Sequence, residues 1–340
     1  MRLARALVGF VALCGVGCAP SSTGVEPRAA DAGPWTDPSP HRAGFATANG
    51  VKLHYLDWGG AGENVVLLAG LGNTAHVYDD LAPLLVDAYR VCALTRRGFG
   101  ESDHPKDGYD EATRVEDLRA ALDALGIARA HLAGHSAAGD ELSGFAARHP
   151  ERVGKLVYLD AAYDRADLRG MLTRSLAMKP APPAPPKPSR EDRASVEAYG
   201  RYIEASHGAR WPEAEIRATQ RFDARGRRTG ETASQGTAIR IMVGEEHPAY
   251  ERVAAPALAL YAVPASASEA YPWANRSPVA RLNAWNWFTG RWMPFVREQK
   301  ERFSREVAHG VVEDVPGGHF FFLAHPDEVA ARIRRFLAEP

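Results

Sequence analysis

Along this chain the spacing of hydrophobic and polar positions changes period again and again. From Gly44 onward, short apolar or alternating runs are separated by glycine-containing turns, and each is followed by a stretch of helical spacing. Val51–Trp58 alternates like a strand with one face against a core, whereas Val65–Ala69 and Val91–Thr95 are continuous apolar runs of the kind buried on both faces. Val77–Ala88, carrying Leu81, Leu84 and Leu85, predicts a helix, as does Arg114–Leu125 with Val115, Leu118, Leu122 and Leu125. Ala130–Ala133 predicts a strand entering a Gly-rich turn, followed by a helix over 137–148 and a strand over Leu156–Asp160. A parallel crossover takes a dozen or more residues, so strands alternating with helices in this way predict an α/β fold: a mainly parallel central sheet with helices on both faces.

Between about 165 and 255 the alternation stops. Pro180, Pro182, Pro183, Pro185, Pro186 and Pro188 crowd together, and charged helical segments follow around 190–206 and 213–222. The strand pattern resumes at Pro256–Val263, so the interruption reads as an inserted helical cap over the sheet, on its ligand-binding side, and not as a second domain. Trp285, Phe288, Trp292 and Phe295 then recur at helical spacing, which predicts packing against the sheet or the cap, with an apolar substrate pocket as the functional alternative. The strand Val311–Val315 and a helix over Pro326–Leu337 complete a domain spanning 43–340.

Residues 1–18 differ from the rest, with Arg2 and Arg5 ahead of an apolar run from Ala6 to Cys18 that is short for a bilayer span. The segment reads as an export signal. Its end, Gly15-Val16-Gly17-Cys18-Ala19, resembles a bacterial lipoprotein signal in which Cys18 becomes the acylated N-terminus, although Gly15 stands where Leu or Val is usual. The expected location is outside the cytoplasm, anchored to a membrane through lipid on Cys18, or otherwise periplasmic or secreted. Residues 19–42, rich in Pro, Ala, Asp and Ser without periodicity, read as a flexible tether. Cys92 alone is left for the body of the protein and reads as a small buried hydrophobe.

Composition narrows the function classes. A formal net charge of -1 and the lack of any Lys/Arg cluster interleaved with aromatics argue against a nucleic-acid partner, and 45% apolar with 24% charged residues is globular in character. The chemistry is carried by Gly134-His135-Ser136-Ala137-Ala138-Gly139 between a strand and a helix, where small neighbours let the two elements approach while a serine hydroxyl projects above the sheet. Leu68-Ala69-Gly70-Leu71-Gly72, Arg96-Arg97-Gly98-Phe99-Gly100-Glu101-Ser102 and Gly317-Gly318-His319 each follow a predicted strand. With these motifs the chain resembles the α/β-hydrolase superfamily over about 45–163 and 255–338, in its serine-nucleophile, esterase-like branch. Ala138 replaces the second glycine of the elbow and Ala69 the histidine that often opens the oxyanion loop; both are small, and the oxyanion donors are backbone N–H groups.

The resemblance implies Ser136 as nucleophile, His319 as its general base, and the N–H groups of Leu71 and Ala137 as the oxyanion hole. His135, at the variable position of the elbow, is expected to pack or bond nearby. For the acid, many relatives use the loop after the strand equivalent to Pro256–Val263, where this chain offers Glu269 and no Asp. Others use the end of the preceding strand, here Asp160, with Asp164 as a further candidate. Asp160 is the leading expectation. The implied activity is hydrolysis of a carboxylic ester of a small or medium-sized molecule through an acyl-enzyme, with no cofactor and no metal. A carbon–carbon bond hydrolase or perhydrolase on the same fold, or a binding protein that has lost turnover, stand as the alternatives.

Overall fold

The computed structural model describes residues 35–340 apart from 168–169, 171–184 and 235. The export signal, Cys18, the tether up to residue 34 and the prolines at 180, 182 and 183 therefore lie outside the described residues.

Eight strands form one sheet in the spatial order β1-β2-β4-β3-β5-β6-β9-β10. β1 (Arg42–Ala48) and β2 (Val51–Gly59) make an antiparallel hairpin at one edge, and β2 pairs antiparallel with β4 (Arg90–Leu94). From there β4, β3 (Asn64–Leu68), β5 (Ala130–His135), β6 (Val153–Leu159), β9 (Ala257–Val263) and β10 (Gly310–Pro316) run parallel. The interior strands alternate between two apolar layers. Val65, Leu67, Ala133, Val157, Leu159, Leu258 and Leu260 face one core, with Leu81, Leu85 and the C-terminal helix. Val66, Leu68, Leu132, Leu156, Tyr158, Ala259 and Tyr261 face the other, with Leu118 and Leu122 of α1 (Glu111–Ala124), Leu142 and Phe145 of α2 (Ala138–Arg148), and Phe303. Burial of each such side chain contributes roughly 1.5–3 kcal/mol, which is why continuous apolar runs mark these strands. Cys92 is buried in the second layer, where burial pushes its thiol up to about 12.

The insertion comprises α3 (Val196–His207), α4 (Glu213–Thr219), a hairpin of β7 (Gln220–Phe222) and β8 (Arg228–Glu231), and α5 (Thr237–Val243). Three segments differ from the sequence expectation. Val77–Ala88 is not an α-helix but two short 3₁₀ turns, Ala75–Tyr78 and Ala82–Leu84: Pro83 can donate no helical hydrogen bond, and buried Tyr78 instead donates to the Leu68 carbonyl at 2.7 Å. Helix α4 stops at Thr219, short of Phe222, because Asp223 accepts the N–H groups of Arg225 and Arg227, each at 2.9 Å, and Gly226 takes a φ of 74°, closing a turn between β7 and β8. The long aromatic helix is split into α6 (Pro278–Trp287), a π-helical turn at Phe288–Trp292, and α7 (Met293–Glu306). Pro294 lacks the N–H that an unbroken helix would use there. Helix α8 (Pro326–Ala338) closes the chain. Of the stretch read as tether, residues 35–41 are packed on the domain: the Arg217 guanidinium stacks 4.8 Å from the Trp35 ring, and Ser39 accepts the Trp58 indole N–H at 2.9 Å.

Candidate active site

β5 ends at His135, and Ser136 adopts a φ of 52°, a left-handed conformation that costs a non-glycine residue about 1 kcal/mol or more. The turn is held by the Ser136 N–H bonding to the Leu159 carbonyl at 3.1 Å and the Gly139 N–H to the Ser136 carbonyl at 3.0 Å. The need for small residues is steric. A Cβ on Gly139 would stand 1.9 Å from the Ala161 carbonyl oxygen, and one on Gly134 would stand 2.8 Å from the Ala138 Cβ.

At the end of the adjacent strand, buried Asp160 is also left-handed, with a φ of 47° and its N–H bonded to the Leu260 carbonyl at 2.7 Å. Its Oδ2 lies 2.6 Å from His319 Nδ1, while Oδ1 accepts the Tyr163 hydroxyl at 2.5 Å and the Ala262 N–H at 3.1 Å. These partners aim the carboxylate and fix the proton of His319 on Nδ1, which frees Nε2 to accept. Glu269 is not brought to the histidine: it is exposed, and its Oε2 accepts the Ala265 N–H at 2.8 Å within its own loop. Asp164 is likewise engaged elsewhere, by His247 Nδ1 at 2.6 Å, by Arg302 and by the Asp167 N–H.

His135 is buried with its ring centroid 4.4 Å from that of His319, and its Nε2 lies 3.0 Å from the His319 carbonyl oxygen. Since a carbonyl only accepts, Nε2 carries the proton. Burial, then repulsion from His319, holds this imidazole well below its usual pKa, so it stays a neutral latch between the elbow and the histidine loop. No hydrogen bond joins Ser136 Oγ to His319 among the described residues; contacts of this kind commonly tighten only around a substrate.

Beside the serine, a Cβ on Gly70 would lie 3.3 Å from Ser136 Cβ and 2.7 Å from His135 Nδ1, so the loop after β3 lies directly against the elbow. Among the described residues the backbone N–H groups of Leu71 and Ala137 donate to no other group. Arg96 fixes the loop from below, donating to the Ala69 and Gly70 carbonyls at 3.0 and 3.3 Å and, at 2.5 and 2.9 Å, to both carboxylate oxygens of Glu141 in α2. The Arg96 motif was visible in the sequence; its task of tying the loop after β3 to the helix behind Ser136 was not. The cap fixes the loop from above. Glu215 of α4, fully buried, accepts the Asn73 amide at 2.9 Å, the Thr74 N–H at 3.1 Å and the Thr74 hydroxyl. Ala238, Ile241 and Met242 of α5 pack in one apolar cluster with Leu71, Phe99 and Ala137. Of the aromatics after β9, Phe288 and Phe295 are buried and Trp285 and Trp292 half-buried; they pack with Tyr271 and Tyr163.

The sequence profile described as alpha/beta hydrolase fold matches residues 63–184, the stretch that holds the loop after β3 and the turn at Ser136. The chain has the α/β-hydrolase fold. Among curated α/β-hydrolase relatives, a 2-hydroxy-6-oxononadienedioate/2-hydroxy-6-oxononatrienedioate hydrolase of Paraburkholderia xenovorans is 39% identical over 114 residues, covering 32% of this chain and 39% of that protein. A cis-3-alkyl-4-alkyloxetan-2-one decarboxylase of Shewanella oneidensis is 38% identical over 125 residues, 36% of this chain and 39% of that one. The match thus spans about two fifths of these relatives' length. Among solved structures, E-2-(acetamidomethylene)succinate hydrolase shares the fold, with a TM-score of 0.62, 19% identity and coverage of 88% of this chain and 100% of that one.

Proposed function

We propose that this α/β-hydrolase is a serine hydrolase that cleaves a carboxylic ester of a small or medium-sized molecule through an acyl-enzyme. The observation that carries the reading is the buried Asp160 carboxylate at 2.6 Å from His319 Nδ1, next to a left-handed serine on the neighbouring strand end. In this reading His319 Nε2 takes the Ser136 proton as Oγ adds to the ester carbonyl, and the imidazolium is stabilised by Asp160. The oxyanion that forms is met by the N–H groups of Leu71 and Ala137, each such donor worth roughly 3 kcal/mol in a dry site. The proton then goes to the departing alcohol, the carbonyl reforms as Ser136 acyl ester, and water activated by His319 releases the acid. The cap roofs the site through α5, so Ile241 and Met242 bound the acyl or alcohol side of the substrate. We further propose export, with lipid on Cys18 holding the enzyme at a membrane.

The test is direct. A fluorophosphonate probe should label the purified protein at Ser136, and Ser136→Ala should abolish labelling and lower kcat on a panel of chromogenic esters by about 10⁶-fold. Undiminished hydrolysis by Ser136→Ala overturns the proposal, as does a wild-type protein that binds the esters without turning them over.

A further inference from the structure

Away from the proposed triad, four side chains from two segments converge. Asp37 and His41 precede β1; His76 and Asp79 follow the oxyanion loop. His41 Nε2 lies 3.1 Å from Asp37 Oδ2 and 3.8 Å from Asp79 Oδ1, and His76 Nδ1 lies 3.2 Å from Asp37 Oδ2 and 3.1 Å from Asp79 Oδ2. All four donor atoms fall within 4.8 Å of one another. Zinc bonds of about 2.0–2.1 Å in a tetrahedron place neighbouring donors roughly 3.3–3.4 Å apart, close to these spacings, and no pair needs to close by more than about 1.5 Å.

A second observation points to a ligand. Asp79 Oδ1 is buried without a hydrogen-bond partner, although it faces His41 Nε2 across the cluster. A buried carboxylate oxygen left in this way is costly unless a donor or cation meets it. Two carboxylates and two neutral imidazoles carry a charge that a dication cancels, and two imidazole nitrogens favour a transition metal over Mg²⁺ or Ca²⁺. The surroundings are largely aromatic: Trp58 stands edge-on to His41 at 5.4 Å, and His54 stacks on His76 at 5.9 Å.

We propose that Asp37, His41, His76 and Asp79 form a closed structural site for a zinc-class divalent metal, stapling the segment ahead of β1 to the turn that follows the oxyanion loop. The experiment uses the tag-free full-length chain, stripped with a chelator and titrated with ZnCl₂ against a competing chromophoric chelator, with metal content counted after dialysis. One tightly held zinc per chain and a rise in Tm are expected, with no response to Mg²⁺ or Ca²⁺ at equal concentration. His76→Ala and Asp79→Asn should each weaken binding by at least about 100-fold, the upper range for loss of groups that merely support a ligand. His247→Ala, which disrupts the separate Asp164–Asp167–His247 group, should change nothing. Co²⁺ loaded into the wild-type chain should give the intense visible absorption of a tetrahedral site, a readout independent of how well any variant folds. Zinc retained equally by His76→Ala and Asp79→Asn, or a wild-type Tm that follows pH but not zinc, overturns the proposal; the latter is the behaviour of a metal-free ion-pair cluster.

Discussion

Glu215 joins the cap to the loop that presents Leu71, and its charge sets the strength of that joint. The informative perturbation is Glu215→Gln, which keeps an acceptor for the Asn73 amide and the Thr74 N–H while removing the ionisable group. Burial raises the Glu215 carboxyl from its ordinary 4.5 to about 7, against hydrogen bonds from Thr74 and Asn73 that favour the carboxylate. In the unfolded chain the group titrates at its ordinary value. Between those two pH values the folded protein therefore keeps a proton that the unfolded chain has released, and stability falls as pH rises through the window. Each tenfold change in proton affinity is worth about 1.4 kcal/mol, so the gap of roughly 2.5 tenfold steps amounts to about 3 kcal/mol. The Gln side chain has nothing to lose. The variant should match wild type to within about 1 kcal/mol near pH 4.5 and exceed it by up to about 3 kcal/mol at pH 8. His76 must be controlled for: burial lowers its proton affinity, but the hydrogen bond and charge of Asp79, with Glu215 and Asp37, raise it overall, and it too loses stabilisation as pH rises. Urea unfolding followed by tryptophan fluorescence, with a chelator present and repeated in a His76→Gln background, isolates the Glu215 contribution. A wild-type-to-variant gap that does not change with pH refutes the reasoning.

Other expectations concern the elbow, the acid, the cap and the anchor. Asp160→Asn should fold normally yet lose about 10⁴-fold in kcat, whereas Glu269→Gln should leave kcat within a few-fold; the reverse pattern in steady-state assays moves the acid to Glu269. Gly139→Ala should be destabilised by more than about 3 kcal/mol in thermal or urea unfolding, because its Cβ would sit 1.9 Å from the Ala161 carbonyl oxygen. Ile241→Ala should cost about 2–4 kcal/mol and raise the relative rate on longer acyl chains, measured as kcat/KM across a graded ester series. Labelled palmitate should appear on wild type but not on Cys18→Ala, and equal labelling of both excludes that anchor.

Much of the frame was legible because the interior strands are buried on both faces: Val65–Leu68 and Leu156–Leu159 could be read from apolar continuity alone. The sharp turn at Ser136 was legible for a different reason, since small residues at 134, 137, 138 and 139 between a strand and a helix suit a tight approach of the two; its left-handed backbone was seen only in the structure. Less legible was β1. Its turn at Asn49-Gly50, with φ of 49° and 78°, is the hairpin signal of a type I′ turn, but the strand alternates weakly through small side chains, Ala46 and Ala48. The leucine spacing over Val77–Ala88 does not give a helix because Pro83 interrupts it with a 3₁₀ turn at Ala82–Leu84. The choice between Asp160 and Glu269 needed three dimensions, since it turns on which carboxylate the chain aims at one imidazole nitrogen. The partners of His135 and Arg96, and Glu215 altogether, were hidden for a related reason: each works through a residue at least 26 positions away in sequence, as with Arg96 and the Gly70 carbonyl.

The position of Asp160 at the end of β6 has a consequence for how this chain can vary. Asp160 rests on the backbone of β9 through the Ala262 N–H, a contact that any non-proline residue supplies, so the loop beyond β9 contributes none of the side chains of the proposed triad. Side-chain identity between Pro264 and Ser277 is thereby freed from supplying the acid, although the backbone there packs on the histidine loop: a Cβ on Gly318 would lie 2.8 Å from the Glu269 carbonyl oxygen. Drift in the side chains of that loop is therefore tolerated, whereas the aromatic helix after it is held in place: Trp292 and Phe295 pack on Tyr163, whose hydroxyl donates to the Asp160 carboxylate.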